Sequence, residues 1–349
     1  MNSIIPSSIE LGPIPFNLYA SGEGRRLVLF CRSGFEITDH YIALLSDCNR
    51  LFYVGSDDMG SYFDYAAKRL ARIISSDSSR ISEKAKIERG VGMRITQHLI
   101  KDPHSEQAVS RSSSYVENLT ELMIISSPVA VSHLFDISSA DSYAFSHSVN
   151  VCTLCLPVGE RMLGRNRKDL WGLGMGGLLH DIGKTKVNQE TLTKSEPLSE
   201  DEMAEMRKHA VFSYEIIKGN SLPVSVQTVG RSHHERVDSS GYPGGLGGVD
   251  IHPFARIAAG ADVYDAITTE REYRKMRTPL AALGEIADYV DGFDREAFDA
   301  LLDVVLHNKQ LIRRFRSGSI IADRKIEDAG DAPAAAKIIR DTRSIPGSL

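Results

Sequence analysis

His147, the pair His180-Asp181, His209, the pair His233-His234 and Asp262 set imidazoles and carboxylates along one stretch of chain. Together they supply enough nitrogen and carboxylate donors for two metal ions. An adjacent His and Asp offer one nitrogen and one carboxylate that can touch both ions of a dinuclear centre. Lys184 follows Asp181 by three residues, on the same helical face. A lysine there can hold a phosphate oxygen as a compact charge. Gly241-Tyr242-Pro243 lies just after the second histidine pair.

Singly, each of these has a plainer explanation. An isolated His-Asp dipeptide is more often a capping aspartate beside a core histidine. His209 has Met206, Phe212 and Ile216 at core spacing and alone would read as a packed histidine. Two adjacent histidines followed by Glu235, close to a glycine loop, are seldom needed for packing. Asp262 follows Ala258-Ala259-Gly260-Ala261, where small residues let backbone and metal approach closely, and Asp265 shares its helical face.

The elements that must position these groups are mostly helices. Leu173–Leu179 is an apolar run rich in glycine that ends at His180. Ser199 with Glu202 forms a capping box, His209 falls inside the helix that begins there, and Gly219 sits where it should stop. Thr278-Pro279 opens another helix, and Asp294 can cap the next. A helical bundle suits such a site because side chains on facing helices converge in its core. Ahead of it, residues 14–56 read as β-rich, with Arg26–Cys31 and Arg50–Val54 as short strands and 40–45 as a short helix. Residues 81–128 read as interrupted helices. Val91, Ile95 and Leu99, then Val116, Leu119, Leu122 and Met123, recur at helical spacing and could link domains or pair with a second chain. The chain is therefore expected to be mainly α. Residues 1–75 are expected to form a small α/β domain with a regulatory or sensory role, 76–137 a helical linker, 138–325 the site-bearing bundle and 326–349 a flexible tail.

Composition narrows the function. The 349 residues are 42% hydrophobic and 25% charged, with a net charge of -5. No global basic field draws the chain to a nucleic-acid polymer, so a phosphorylated ligand needs local positive charge, for which metal is one source. Four cysteines, Cys31, Cys48, Cys152 and Cys155, are too few for a disulfide framework and read as buried thiols. No leader peptide and no membrane span are expected, and the cytoplasm is the expected location.

His180-Asp181-Ile182-Gly183-Lys184 resembles the H-D-x-G-K motif of the HD superfamily of metal-dependent phosphohydrolases. His233-His234-Glu235-Arg236-Val237-Asp238-Ser239-Ser240-Gly241-Tyr242-Pro243 resembles the H-H-E-x-x-D-G-x-G-Y-P motif of its HD-GYP subfamily. Ala261–Thr268 with Arg271–Arg274 resembles that subfamily's next segment, so the likeness spans about residues 139 to 310. It implies a five-helix HD core with added helices and hydrolysis of the bacterial messenger cyclic di-GMP to pGpG or GMP, through a hydroxide shared by the metals. It assigns metal ligation to His147, His180, Asp181, His209, His233, His234 and Asp262, and catalysis to Asp181 and Lys184. Substrate contacts fall to Lys184, Tyr242, Asp265, Arg271, Arg274 and Lys275. The expected cofactor is a pair of transition-metal ions, iron first, then manganese or zinc.

Two positions depart from the family. Ser239 stands where glycine is usual, at a strain cost of about 1 kcal/mol if the backbone there has positive φ. Tyr143 stands where some members place a glutamate for a third metal, so two ions are expected. The alternatives to a cyclic di-GMP phosphodiesterase are a weakly active binding module that signals through protein partners and a phosphohydrolase of another cyclic dinucleotide. A homodimer through the helical linker is a further expectation.

Overall fold

A computed structural model describes residues 2–4, 8–21, 26–47, 51–75, 81–125, 143–194, 196–269, 277–306 and 312–313. Arg271, Arg274, Lys275, Cys48 and the expected tail lie outside them. The chain divides into two compact units, Met1–Arg94 and Ile95–Leu349, with the division inside the Ile81–Lys101 helix.

The first unit holds a small antiparallel sheet in the order Asn2–Ile4, Phe52–Val54, Leu18–Ser21, Leu27–Cys31, with Gly12–Pro13 paired to Glu36–Ile37 beside it. Its core gathers Ile14, Phe16, Leu18, Phe52, Val54 and Tyr62. Burying each such side chain is worth roughly 1.5–3 kcal/mol. Both expected strands form, and the expected short helix is Asp39–Asp47. Leu27–Cys31 is nonetheless an edge, and Leu27, Val28 and Leu29 are exposed.

The second unit is helical. Glu106–Ile125, Tyr143–Leu163, Arg167–Leu179, Val224–Ser232 and Pro253–Thr268 pack on one another, and Arg295–Leu306 closes over Tyr143–Leu163. Local chemistry sets the helix starts. Asn166 accepts from Lys168 and Asp169 N–H groups, and Thr278 and Asp294 accept from Ala281 and Ala297. The Ser199–Glu202 capping box is complete. The glycines of the Leu173–Leu179 run let this helix lie close to its neighbours: Gly174 faces Val116 and Leu156, and Gly177 faces Cys152.

Two features differ from expectation. The helix begun at Ser199 ends at Arg207, and His209 opens a new one, His209–Gly219. At the break the His209 ring takes the Met206 carbonyl at 2.7 Å. The other difference concerns the helix Glu106–Ile125, expected as linker. Val116, Leu119, Leu122 and Met123 are buried within this chain, so they are not a free face for a second copy. Helical periodicity marks a face to be covered without saying by what. Among the described residues no helix is long and apolar enough to cross a membrane.

Candidate metal centre

Helix ends and two helix faces bring the site together. His147 comes from Tyr143–Leu163 and Asp262 from Pro253–Thr268. His180 caps the end of Arg167–Leu179, and Asp181 leads into a 3-10 turn, Ile182–Lys186. His209 opens its helix, and His233-His234 follow the last residue of Val224–Ser232. The turn after Asp181 lies so close to the His209 helix that a Cβ on Gly183 would sit 2.1 Å from the His209 carbonyl oxygen. That approach explains the glycine of His180–Lys184, and the Gly183 N–H is secured at 2.8 Å by Ser213 Oγ.

The candidate ligands fall into two groups, Asp181 with His209, His233 and His234, and His147 with His180 and Asp262. Asp181 reaches into both. Its Oδ1 lies 3.3 Å from His209 Nε2 and 3.8 Å from His233 Nε2, while its Oδ2 lies 3.2 Å from His180 Nε2 and 3.6 Å from His147 Nε2. Asp262 spans them more loosely, with Oδ1 3.2 Å from His147 Nε2 and Oδ2 3.9 Å from His234 Nδ1.

The protonation pattern suits a cation. His180, His209 and His233 face backbone carbonyls with Nδ1, at 2.8, 2.7 and 3.0 Å. A carbonyl only accepts, so each Nδ1 carries a proton and donates it, and Nε2 is the ring nitrogen left to face the other groups of the site. The Nε2 atoms of His209 and His233 then face each other at 3.4 Å. Two lone pairs at that distance repel unless a cation lies against them. Burial pushes His209 down to about 4. Burial, with His180 and His209 nearby, pushes His233 to about 3. Burial, then His233 and His209, hold His234 well below the ordinary imidazole range. Burial alone would raise the Asp181 carboxyl, yet His180, Lys184 and His209 keep it well below the usual range. His180 Nε2, Asp181 Oδ1 and His234 Nδ1 are buried without a hydrogen-bond partner. Each such atom costs about 1–3 kcal/mol, and metal ligation would satisfy all of them. The residues present therefore fit a metal centre.

His147 differs. Its Nδ1 meets Asp265 Oδ2 at 2.7 Å, and Asp265 Oδ1 also accepts from Asn150 at 2.7 Å and Thr269 at 3.2 Å. Burial opposes a charge on the ring, but Asp262 and Asp265 raise it to about 9. Asp265, expected as a substrate contact, is thus buried and turned toward His147. That contact lets the carboxylate orient the ring of candidate ligand His147.

Lys184 Nζ lies 2.6 Å from Asp181 Oδ2. Tyr242, expected at the substrate, has its ring stacked on His234 at 4.7 Å and 24° and is 9% exposed. Its loop is held by Glu235, whose carboxylate accepts from Gly244 N at 2.6 Å and Leu246 N at 2.9 Å. Sequence reasoning gave Glu235 no role, although its place beside His234 was a signal. It also passed over Asn150 and over Arg207, whose guanidinium lies 5.3 Å over the Tyr242 ring.

A helical bundle that buries five imidazoles and two carboxylates about shared oxygens is a metal-site scaffold. Comparison with known proteins makes this specific. The HD domain family model matches residues 137–297, the stretch that carries every candidate ligand. It is similar to the cyclic di-GMP phosphodiesterase PA4108 of Pseudomonas aeruginosa, 32% identical over 59% of this chain and 50% of that protein. The response regulator RpfG of Xanthomonas campestris, also named a cyclic di-GMP phosphodiesterase, is 37% identical over 45% of this chain and 42% of its own. The 3'3'-cGAMP-specific phosphodiesterase 1 of Vibrio cholerae is 36% identical over 40% of this chain and 32% of its own. The chain thus spans half or less of the length of these relatives. Among solved structures, Bd1817, a HDG"Y"P protein from Bdellovibrio bacteriovorus, shares the fold. It is 21% identical, with a TM-score of 0.61, over 87% of this chain and 98% of its own.

Proposed function

We propose that the chain is a metal-dependent phosphodiesterase that hydrolyses cyclic di-GMP to pGpG or GMP in bacterial signalling. The observation that carries this reading is Asp181, with one oxygen turned to each ligand group and Lys184 at its side. The names of the relatives PA4108 and RpfG support the substrate. Each ligand group would hold one ion, two in all, because Tyr143 replaces the carboxylate that a third would use. Imidazole with carboxylate suits iron, and also manganese or zinc. Bound metal would supply Lewis acidity and a water acidified for in-line attack on phosphorus. The chain's own groups do the rest. His180, His209 and His233 keep their lone pairs inward through backbone bonds, Asp265 aims His147, and the Lys184 ammonium offsets charge growing on the phosphoryl oxygens.

Three Vibrio cholerae relatives named for 3'3'-cGAMP support a second reading, a phosphodiesterase of that dinucleotide. The test is metal analysis and chromatography of products after protein purified without oxygen meets cyclic di-GMP or 3'3'-cGAMP. About two transition-metal ions per chain and faster turnover of cyclic di-GMP are expected. Faster turnover of 3'3'-cGAMP would favour the second reading. Tight binding without turnover of either would leave a binding module that acts through protein partners.

A further inference from the structure

We propose that Arg207 is a substrate-binding residue that holds the phosphodiester of a cyclic dinucleotide remote from the metals; this rests on the phosphodiesterase reading above.

A cyclic dinucleotide carries two phosphodiesters. When one is at the metals, the other keeps its negative charge and needs a partner near the mouth of the site. The chain has a net charge of -5, so no general field supplies one. Lys184 is turned to Asp181 at 2.6 Å. Arg236 is buried, with Nη1 spent on the His233 and Glu235 carbonyls and its guanidinium over Phe293 at 4.8 Å. Both are thus engaged elsewhere, and Arg271, Arg274 and Lys275, the contacts that the resemblance implies, lie outside the described residues, so among the described residues the cation beside the site that is left to consider is Arg207.

Arg207 is differently situated. It is exposed at the end of the Glu200–Arg207 helix, just before the break that turns His209 inward. Its guanidinium lies 5.3 Å over the Tyr242 ring, which stacks on His234 at 4.7 Å. Among the described residues it has no ion pair. A guanidinium set over an aromatic ring is held by its face, which leaves the in-plane N–H groups free for a bidentate phosphate contact. The layers run outward from candidate ligand His234 to Tyr242 to Arg207, so the cation is built onto the centre by a buried ring and a braced loop. Tyr242, 9% exposed, offers a base little surface; the group that meets solvent is Arg207.

The plainer account is an arginine that complements the negative end of its helix. Lysine would serve that role equally well, but it has no planar fork. Arg207→Ala and Arg207→Lys, each with metal content measured, therefore separate the two accounts. Steady-state hydrolysis of cyclic di-GMP gives KM and kcat, and bis(p-nitrophenyl) phosphate serves as a small diester with no second phosphate. For Arg207→Ala the expected result is a KM for cyclic di-GMP raised about 10-fold or more, as for loss of a charge-assisted pair. kcat should fall much less, and the loss on the small diester should be clearly smaller. Arg207→Lys should recover only part of the KM. A KM within about twofold of wild type in Arg207→Ala, full recovery by lysine, or equal losses on both substrates would overturn the assignment, the last by showing that Arg207 acts through Tyr242 on the metals. Wild-type protein that leaves every cyclic dinucleotide intact would overturn the phosphodiesterase reading itself, and this assignment with it.

Discussion

Lys184 and Asp265 sit on different sides of the same chemistry, and their variants should separate. Lys184 contacts Asp181 Oδ2 and is not a candidate ligand, so Lys184→Ala should keep its metal while turnover falls by about 10²-fold or more. Retained metal with unchanged turnover would sink its placement. Asp265 acts through His147 Nδ1, so Asp265→Asn should weaken metal affinity by about 10–100-fold with the fold intact. Competition against a chelator reads this directly, and unchanged affinity would reduce Asp265 to a packing role. The candidate ligands that the fold brings together were legible in the sequence because ligation restricts residue type and because the motif offsets repeat a known order. Asn150, Glu235 and Arg207 were not, since an amide, a carboxylate and a guanidinium gain meaning only from what tertiary packing places beside them.

The loop after His234 shows what an element demands of its residues. Ser239 has φ 65, the left-handed region where the family's usual glycine is at ease. The strain raised by the sequence as a condition is therefore present. Ser239→Gly should stabilise the protein by about 1 kcal/mol through relief of that strain, less the extra entropy of glycine in the unfolded chain. A melting temperature that falls would mean that the serine side chain contributes more than its backbone costs. Capping sites such as Ser199–Glu202, Thr278 and Asp294 were legible because a cap is written within four residues. The break at Lys208 was not, because it arises where the His209 ring takes the Met206 carbonyl deep in the site.

For the whole molecule, the sequence separated a β-containing first part from a helical remainder but put the helix Glu106–Ile125 in a linker. Its partners decide otherwise: Val116 lies against Gly174 of the helix that delivers His180, and Glu121 pairs with Arg167 at that helix's start. This makes the helix a support for the metal centre and sets where the chain can be cut. A chain beginning at Ile95 should fold, take up metal and melt close to the second unit of the full-length protein. One beginning near residue 130 should expose the Gly174 face, lose several kcal/mol of burial and bind metal poorly or aggregate. Calorimetry and metal analysis of the two shortened chains decide the matter: equal stability and equal metal would show that Glu106–Ile125 is dispensable. The same pair tests whether residues 1–94 regulate the site. A regulatory role, as expected for residues 1–75, requires the chain from Ile95 to differ from full length in turnover or in mass by light scattering. If both match, the first unit has no regulatory effect on the isolated protein.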